Sequence, residues 1–267
     1  MADFLYYVYA VVPATAVVRS APAGVDGLPV ELTTEGKVAA LVSRVGAAVY
    51  GADLDDRLAD VAWLAPRATA HDTVMTWASD EGPVVPLPLL SLFRSEAAVH
   101  AMLVERHDEL TSLLAHVARG REYGVRIFRL DDELRGVLGA FSPSIAALEA
   151  DVATAASPGQ GYLLTRKLEA ARKDELRRVA GSVATAAFAD LASRSLESVQ
   201  EPPPKSTSDQ SGAAILNAAF LVAHDRVDDF RSAVTVFVRD YERRGFRVEF
   251  TGPWPPYHFA RRASDVG

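Results

Sequence analysis

The sequence predicts an α+β protein of two successive units, on three observations. Alternating apolar runs, the mark of strands, open and close each half of the chain, with helical patterns unevenly spaced between them. The first runs lie close enough to form a hairpin, which argues against a single doubly wound sheet. A helical stripe ends at Gly120 and a new alternating run starts at Tyr123, so the domains are expected at 1–120 and 121–267. A chain of 267 residues accommodates two domains of ordinary size.

Residues 4–12 are apolar on both faces, Phe4, Tyr6 and Val8 on one and Leu5, Tyr7 and Tyr9 on the other, as in an interior strand covered twice. The opening run could pass for a leader peptide. Asp3 stands where a basic n-region belongs, however, and Pro13 stops the run well short of the roughly 20 residues a membrane helix needs. Residues 28–33 and 37–45 read as a hairpin turning at Thr34-Glu35-Gly36. Asp53, Asp55 and Asp56 open a helical stretch that Pro66 should break, restarting a helix to about Trp77. The run 83–90, with three prolines, reads as an edge strand or connector. Ser95 suits the N-cap of a helix to Val117, with Val99, Leu103, Leu110, Leu113, Leu114 and Val117 on one stripe.

In the second unit, Tyr123, Val125 and Ile127 alternate with Gly124, Arg126 and Phe128 as a strand, and a short helix is expected near 144–155, stopped by Pro158 and Gly159. From Tyr162 to about Val199 the pattern is helical. Its stripe begins on Leu164, Leu168 and Ala171 and drifts to Leu176, Val179, Val183, Ala187 and Leu191, which predicts a bend, a break near Gly181 or a change of packing partner. Residues 201–212 are polar and proline-rich, a flexible loop. Ala213–Val222 reads as a buried strand. Asp225 should cap a helix whose face is Val227, Phe230, Val234, Phe237, Val238 and Tyr241; Gly245 closes it and Phe246–Phe250 returns as a strand.

Several chemistries are absent from the sequence. With no cysteine there is no disulfide framework, thiol nucleophile or thiolate metal site, which suits a reducing cytoplasm. No nucleophile elbow, kinase signature or phosphate-binding loop occurs. Glu96, His100 and His107 share a helix flank, but their spacing is not that of zinc-binding HExxH. A net charge of −7 disfavours nucleic acid, and the partial RNP1 likeness of 243–250 fails after Phe246. No catalytic, cofactor or metal residue is therefore expected, nor a membrane span.

Two surface features are left as candidate partner-binding sites. Arg166, Lys167, Arg172, Lys173, Arg177 and Arg178 form a basic strip on the long helix, suited to an acidic protein, with the first four as candidate contacts, or simply to local ion pairs with Glu169, Asp174 and Glu175. The segment 252–259 holds Trp254, Tyr257 and Phe259 on an extended proline frame, either closing the core of the second domain or meeting a partner.

Four runs, YYVYAVVPA (6–14), GQGYLLTRK (159–167), NAAFLV (217–222) and GPWPPYHF (252–259), resemble the gas vesicle protein GvpL/GvpF family in order and spacing. The chain departs from that likeness at Leu89-Leu90-Ser91, where a Phe-Gly-Thr-like step is expected. The resemblance implies two α+β domains, the second a modified ferredoxin-like fold with a long helix. It also implies a non-enzymatic cytoplasmic accessory protein of gas vesicles, which binds the small hydrophobic shell protein or other accessory proteins during vesicle formation. The Tyr-rich first strand, the 252–259 segment and the drifting stripe are then candidate contact surfaces. The competing expectation is an anion-binding enzyme or sensor on a ferredoxin-like sheet. There the Gly159–Gly161 amides, Arg166 and Lys167 would grip a phosphate or carboxylate.

Overall fold

The computed structural model describes residues 4–51, 57–202 and 212–260. The aspartates at 53, 55 and 56 and most of the 201–212 loop lie outside them. The chain forms two compact units, Met1–Glu122 with Pro253–Gly267, and Tyr123–Gly252. The class is α+β. The last segment, expected in the second domain, belongs to the first unit.

The first unit is a sheet with helices on both faces. Strands β1 (Phe4–Pro13), β2 (Glu31–Glu35) and β3 (Val38–Gly46) run in the order β2-β3-β1. The hairpin pairs Glu35 with Val38, so the reversal is Gly36-Lys37, with Gly36 at φ +56°. Short strands β4 (Val85–Pro86) and β5 (Leu92–Phe93) both pair antiparallel with β1, so the proline-rich run is an edge as expected. β1 is interior, and Tyr7 to Val12 are all buried.

Strict alternation does not hold along β1. Val8 pairs with Val42 but Ala10 with Leu41, so Tyr9 is an extra residue, a β-bulge. The bulge resets the phase: Tyr7, Tyr9, Ala10 and Val12 pack in one core while Val8 and Val11 face the other. The first core lies against helix α2 (Val61–Glu81), which follows the short helix α1 (Ala47–Tyr50). The second lies under α3 (Glu96–Glu105) and α4 (His107–Val117). The expected 95–117 helix is therefore two helices divided at Arg106; Val99, Leu103, Leu110, Leu114 and Val117 of its stripe are buried, while Leu113 is half-buried.

Pro66, expected to break a helix, lies inside α2. The helix start around it is held by several contacts. Asp60 accepts from the Ala62 and Trp63 amides, and Arg67 donates to the Trp63 carbonyl at 2.8 Å while lying 4.1 Å above the Trp63 ring. Arg67 also pairs with Asp26 at 2.6 Å.

In the second unit β6 (Gly120–Arg129) is followed by α5 (Asp131–Val137), α6 (Pro143–Ala153) and α7 (Pro158–Ser193), then β7 (Glu197–Gln200), β8 (Ala213–Ala223), α8 (Val227–Tyr241) and β9 (Phe246–Trp254). The sheet order is β7-β8-β6-β9. That is the split βαββαβ order of a ferredoxin-like sheet, modified by extra helices in the first crossover. Tyr123, Val125 and Ile127 of β6 and Leu216, Ala218, Phe220 and Val222 of β8 form one floor, packed by Val179, Val183, Ala187 and Leu191 of α7 and Phe230 and Val234 of α8.

Helix α7 begins earlier and ends earlier than its apolar pattern suggested. Ser157 accepts from the Gln160 amide, Pro158 takes the first helical position, and the Gln160 carboxamide accepts from the Ala156 amide. The residues expected to stop one helix thus start the next. Arg194 ends it, and Val199 pairs with Ala219 as part of the β7 ladder. Gly181 does not break it; the drifting stripe is absorbed within one helix. Asp225 lies in a one-turn 3-10 helix before α8, where Arg226 stands at the N-cap without capping the helix amides, its guanidinium instead donating to Asp229 at 2.8 Å.

Gly245 has φ +82°, and a Cβ there would lie 2.3 Å from the Leu134 nitrogen. Its carbonyl also accepts from the Leu130 amide, tying the β9 start to β6. Gly245→Ala should therefore cost about 2 kcal/mol or more, read by urea denaturation. Leu90 is the reverse case, a bulky residue at φ +64°, a conformation that favours glycine. It stands at the middle of the expected Phe-Gly-Thr-like step. Leu90→Gly should change stability by no more than about 1 kcal/mol, because relief of backbone strain offsets the half-buried side chain lost.

Candidate partner-binding surfaces

The C-terminal segment is a clasp. Pro255, Pro256, Phe259 and Ala260 are buried, and the Ala260 amide donates to the Pro256 carbonyl. The Tyr257 hydroxyl donates to Asp72 Oδ1 at 3.3 Å. Glu122, 2% exposed, accepts twice from His258: from the ring Nδ1 at 2.6 Å and from the backbone amide at 3.0 Å. A carboxylate only accepts, so Nδ1 carries the proton. These ties lie within the first unit, which corrects the expectation that 252–259 closes the second core. Phe259, 4% exposed, is a core residue and not a contact surface. Tyr257 is half-buried and engaged. Of the three aromatics, Trp254 is the most exposed, at 40%.

Of the Tyr-rich first strand, Tyr7 and Tyr9 are fully buried and offer no contact, Tyr6 is half-buried, and Phe4 at its start stays 56% exposed. The Val25 amide donates to the Tyr9 hydroxyl, which donates to Ser43 Oγ, which donates to the Pro29 carbonyl. Burial pushes both phenols above their ordinary range.

The basic strip on α7 divides in two. Arg172 points at α6 and pairs with Glu149 and Glu169, each at 2.8 Å, which raises its pKa further. It straps α6 to α7 inside the second unit, so its guanidinium is engaged internally and not presented to a partner. Arg178 pairs with Glu175 and Arg177 with Asp174 in the same helix. Arg166, Lys167 and Lys173 are exposed and join none of the ion pairs among the described residues.

Beside these cations stand Tyr162, 66% exposed, and Leu163, 69% exposed, which pattern reading passed over. The signal was available: they fall off the Leu164–Leu168 stripe. At 100° per residue, Tyr162, Leu163, Arg166, Lys167, Ala170 and Lys173 share a sector about 140° wide, opposite the buried Leu168. The first turns of α7 thus present a solvated aromatic and aliphatic pair ringed by three cations. The same helix start is poorly equipped for an anion. The Gln160 and Gly161 amides are both already bonded to Ser157.

Among the described residues no cluster of three His, Asp or Glu side chains could hold a metal, and no helix is long and apolar enough to cross a membrane.

The family described as gas vesicle synthesis protein GvpL/GvpF matches residues 5–261. The chain belongs to the GvpL/GvpF family. It is 32% identical to gas vesicle protein L of Streptomyces sp. (strain CB03234) across 98% of this chain and 95% of that one. To gas vesicle protein F of the same strain it is 27% identical, over 86% of this chain and 87% of that one. The crystal structure of GvpF from Anabaena sp. PCC7120 superposes with a TM-score of 0.70 at 19% identity, covering 98% of this chain and all of that one. GvpF of Microcystis aeruginosa gives 0.67 at 18% identity, again over 98% of this chain and all of that one. The GvpL/GvpF fold and a role connected with gas vesicles follow.

Proposed function

We propose that this protein is a non-enzymatic assembly factor of gas vesicles, working in the cytoplasm and at the vesicle by holding other vesicle proteins on adhesive surfaces. Its partners are the small hydrophobic shell protein or fellow accessory proteins. A subunit with a face made to repel water aggregates unless that face is shielded or delivered to a growing wall. A carrier for it needs an apolar contact that stays solvated when empty, and charges that set the docking orientation.

One observation supports this reading above the others. The Tyr162, Leu163, Arg166, Lys167 and Lys173 face of α7 is exposed, apolar at its centre and cationic at its edge, in a chain of net charge −7. Trp254 supplies a second exposed anchor. Replacing Tyr162 and Leu163 by Ser should remove about 3 kcal/mol of contact burial, more than a hundredfold in affinity. Co-purification with tagged shell and accessory proteins reads this out. Wild-type protein should retain a partner that the double variant loses, with the melting temperature unchanged. Arg166→Glu with Lys167→Glu should slow association and remove its salt dependence. Retention of every partner by both variants would refute the assignment of this face.

A further inference from the structure

A cavity of about 830 Å³ opens in the first unit, lined among others by His71 and Asp72 of α2, the Pro86–Leu89 run, Arg106 and Tyr257. His71 is 6% exposed, and its ring nitrogens are not equivalent. Nδ1 lies 2.9 Å from the Tyr7 hydroxyl, and that hydroxyl already accepts from the Leu90 amide at 3.2 Å. Tyr7 has no exposed surface, so its hydroxyl hydrogen has only Nδ1 to meet. Nδ1 is therefore the acceptor, and Nε2 carries the proton. Nε2 has no partner among the described residues and is the ring atom left to the cavity. Burial lowers the His71 pKa to about 4, with Asp72 opposing weakly, so this donor is uncharged at neutral pH.

The next residue supplies the complement. Asp72 is exposed, and Tyr257 occupies one of its two oxygens, leaving acceptor capacity at the same cavity. Arg106, the cation among the described lining residues, is held by both oxygens of Glu109, while Asp72 is the carboxylate among them. The Pro86 and Pro88 wall has no amide at either proline, and the Leu87 amide is bonded to the Tyr9 carbonyl. Strand addition is therefore not on offer, while apolar contact is.

We propose that the cavity binds a neutral amide carried on an apolar residue, one step of an extended peptide from a partner protein. Its carbonyl accepts from His71 Nε2–H, its N–H donates to Asp72, and its side chain lies on the Leu87–Pro88 wall. The strained Leu90 amide, by occupying Tyr7, fixes the histidine tautomer that makes this possible.

The test uses the full chain, labelled with ¹⁵N. Long-range proton–nitrogen spectra of His71 should show Nε2 protonated and Nδ1 bare; the opposite tautomer overturns the proposal. N-acetyl-leucine N-methylamide should shift the Nε2–H signal saturably, and absence of any saturable shift overturns it. N-acetyl-leucine, with a free carboxylate, should bind at least about tenfold more weakly because of Asp72, and Asp72→Asn should remove most of that gap. A carboxylate that binds the wild type as well as the amide does overturns the ligand class. N-methylacetamide, lacking the apolar arm, should bind more weakly, and parity with the leucine amide overturns the peptide assignment. His71→Phe should abolish ligand-induced shifts at the Leu87 and Leu89 amides; their persistence overturns the role of the ring.

Discussion

Replacing His258 by Ala should lower the unfolding free energy by about 3 kcal/mol, the loss expected when a buried carboxylate is stripped of its partner. Glu122 is 2% exposed and its two oxygens are met by the His258 ring and amide. Without the ring, one oxygen is desolvated and unmatched, and the chain end that carries Phe259 and Ala260 loses its anchor. Urea denaturation of the single variant and of His258→Ala with Glu122→Gln separates charge from packing. The double variant should recover a large part of the loss, since a neutral amide is far cheaper to leave buried. A cost below about 0.5 kcal/mol in the single variant would mean that the clasp does not hold the segment.

Acidification should remove a comparable amount through His71. Its pKa in the folded protein is about 4, pulled down mainly by burial, against about 6.5 in the unfolded chain. The stabilisation is complete above pH ~6.5, where both states are neutral. It is lost as pH falls towards ~4, because the unfolded chain takes up a proton that the buried ring refuses, and it amounts to about 3 kcal/mol. Stability measured by urea at steps from pH 7 to 4 should show this decline, and His71→Phe should flatten it. A profile with the same slope in the variant would place the acid sensitivity elsewhere.

The strongest periodic signals in the sequence became the elements they suggested. β1, β6 and β8 carry apolar runs, and α8 a clean stripe, so local pattern and tertiary burial agree. The failures have definite causes. The bulge at Tyr9 leaves no mark in a strand that is apolar on both faces. Pro158 and Gly159 read equally as an end or a beginning until Ser157 and Gln160 are seen to cap the following helix. Pro66 survives in α2 because Asp60 and Arg67 secure the turn around it, and Arg67 also reaches Asp26, 41 residues away in sequence. The clasp joins residues 136 apart, so adjacency to β9 pointed to the wrong unit for Phe259.

The surfaces were legible in part for the same reason. Arg166, Lys167 and Lys173 face solvent as a charged helix flank should, whereas Arg172 is turned inward by Glu149 on another helix, which spacing along one helix cannot reveal. Tyr162 and Leu163 are legible from the helical wheel alone, since both fall off the Leu164–Leu168 stripe. The polar floor of the first-unit cavity depends on Tyr7, His71 and Leu90 meeting across 83 residues of chain. No local pattern encodes that.

Complementation of a strain lacking this gene, scored by electron microscopy, bears most directly on a role exerted through an adhesive face of α7. Tyr162→Ser with Leu163→Ser, expressed at wild-type level and with wild-type melting temperature, should fail to restore gas vesicles, while Arg172→Ala, which touches only the internal strap, should restore them. Normal vesicles in the Tyr162/Leu163 variant would contradict the assignment of that face.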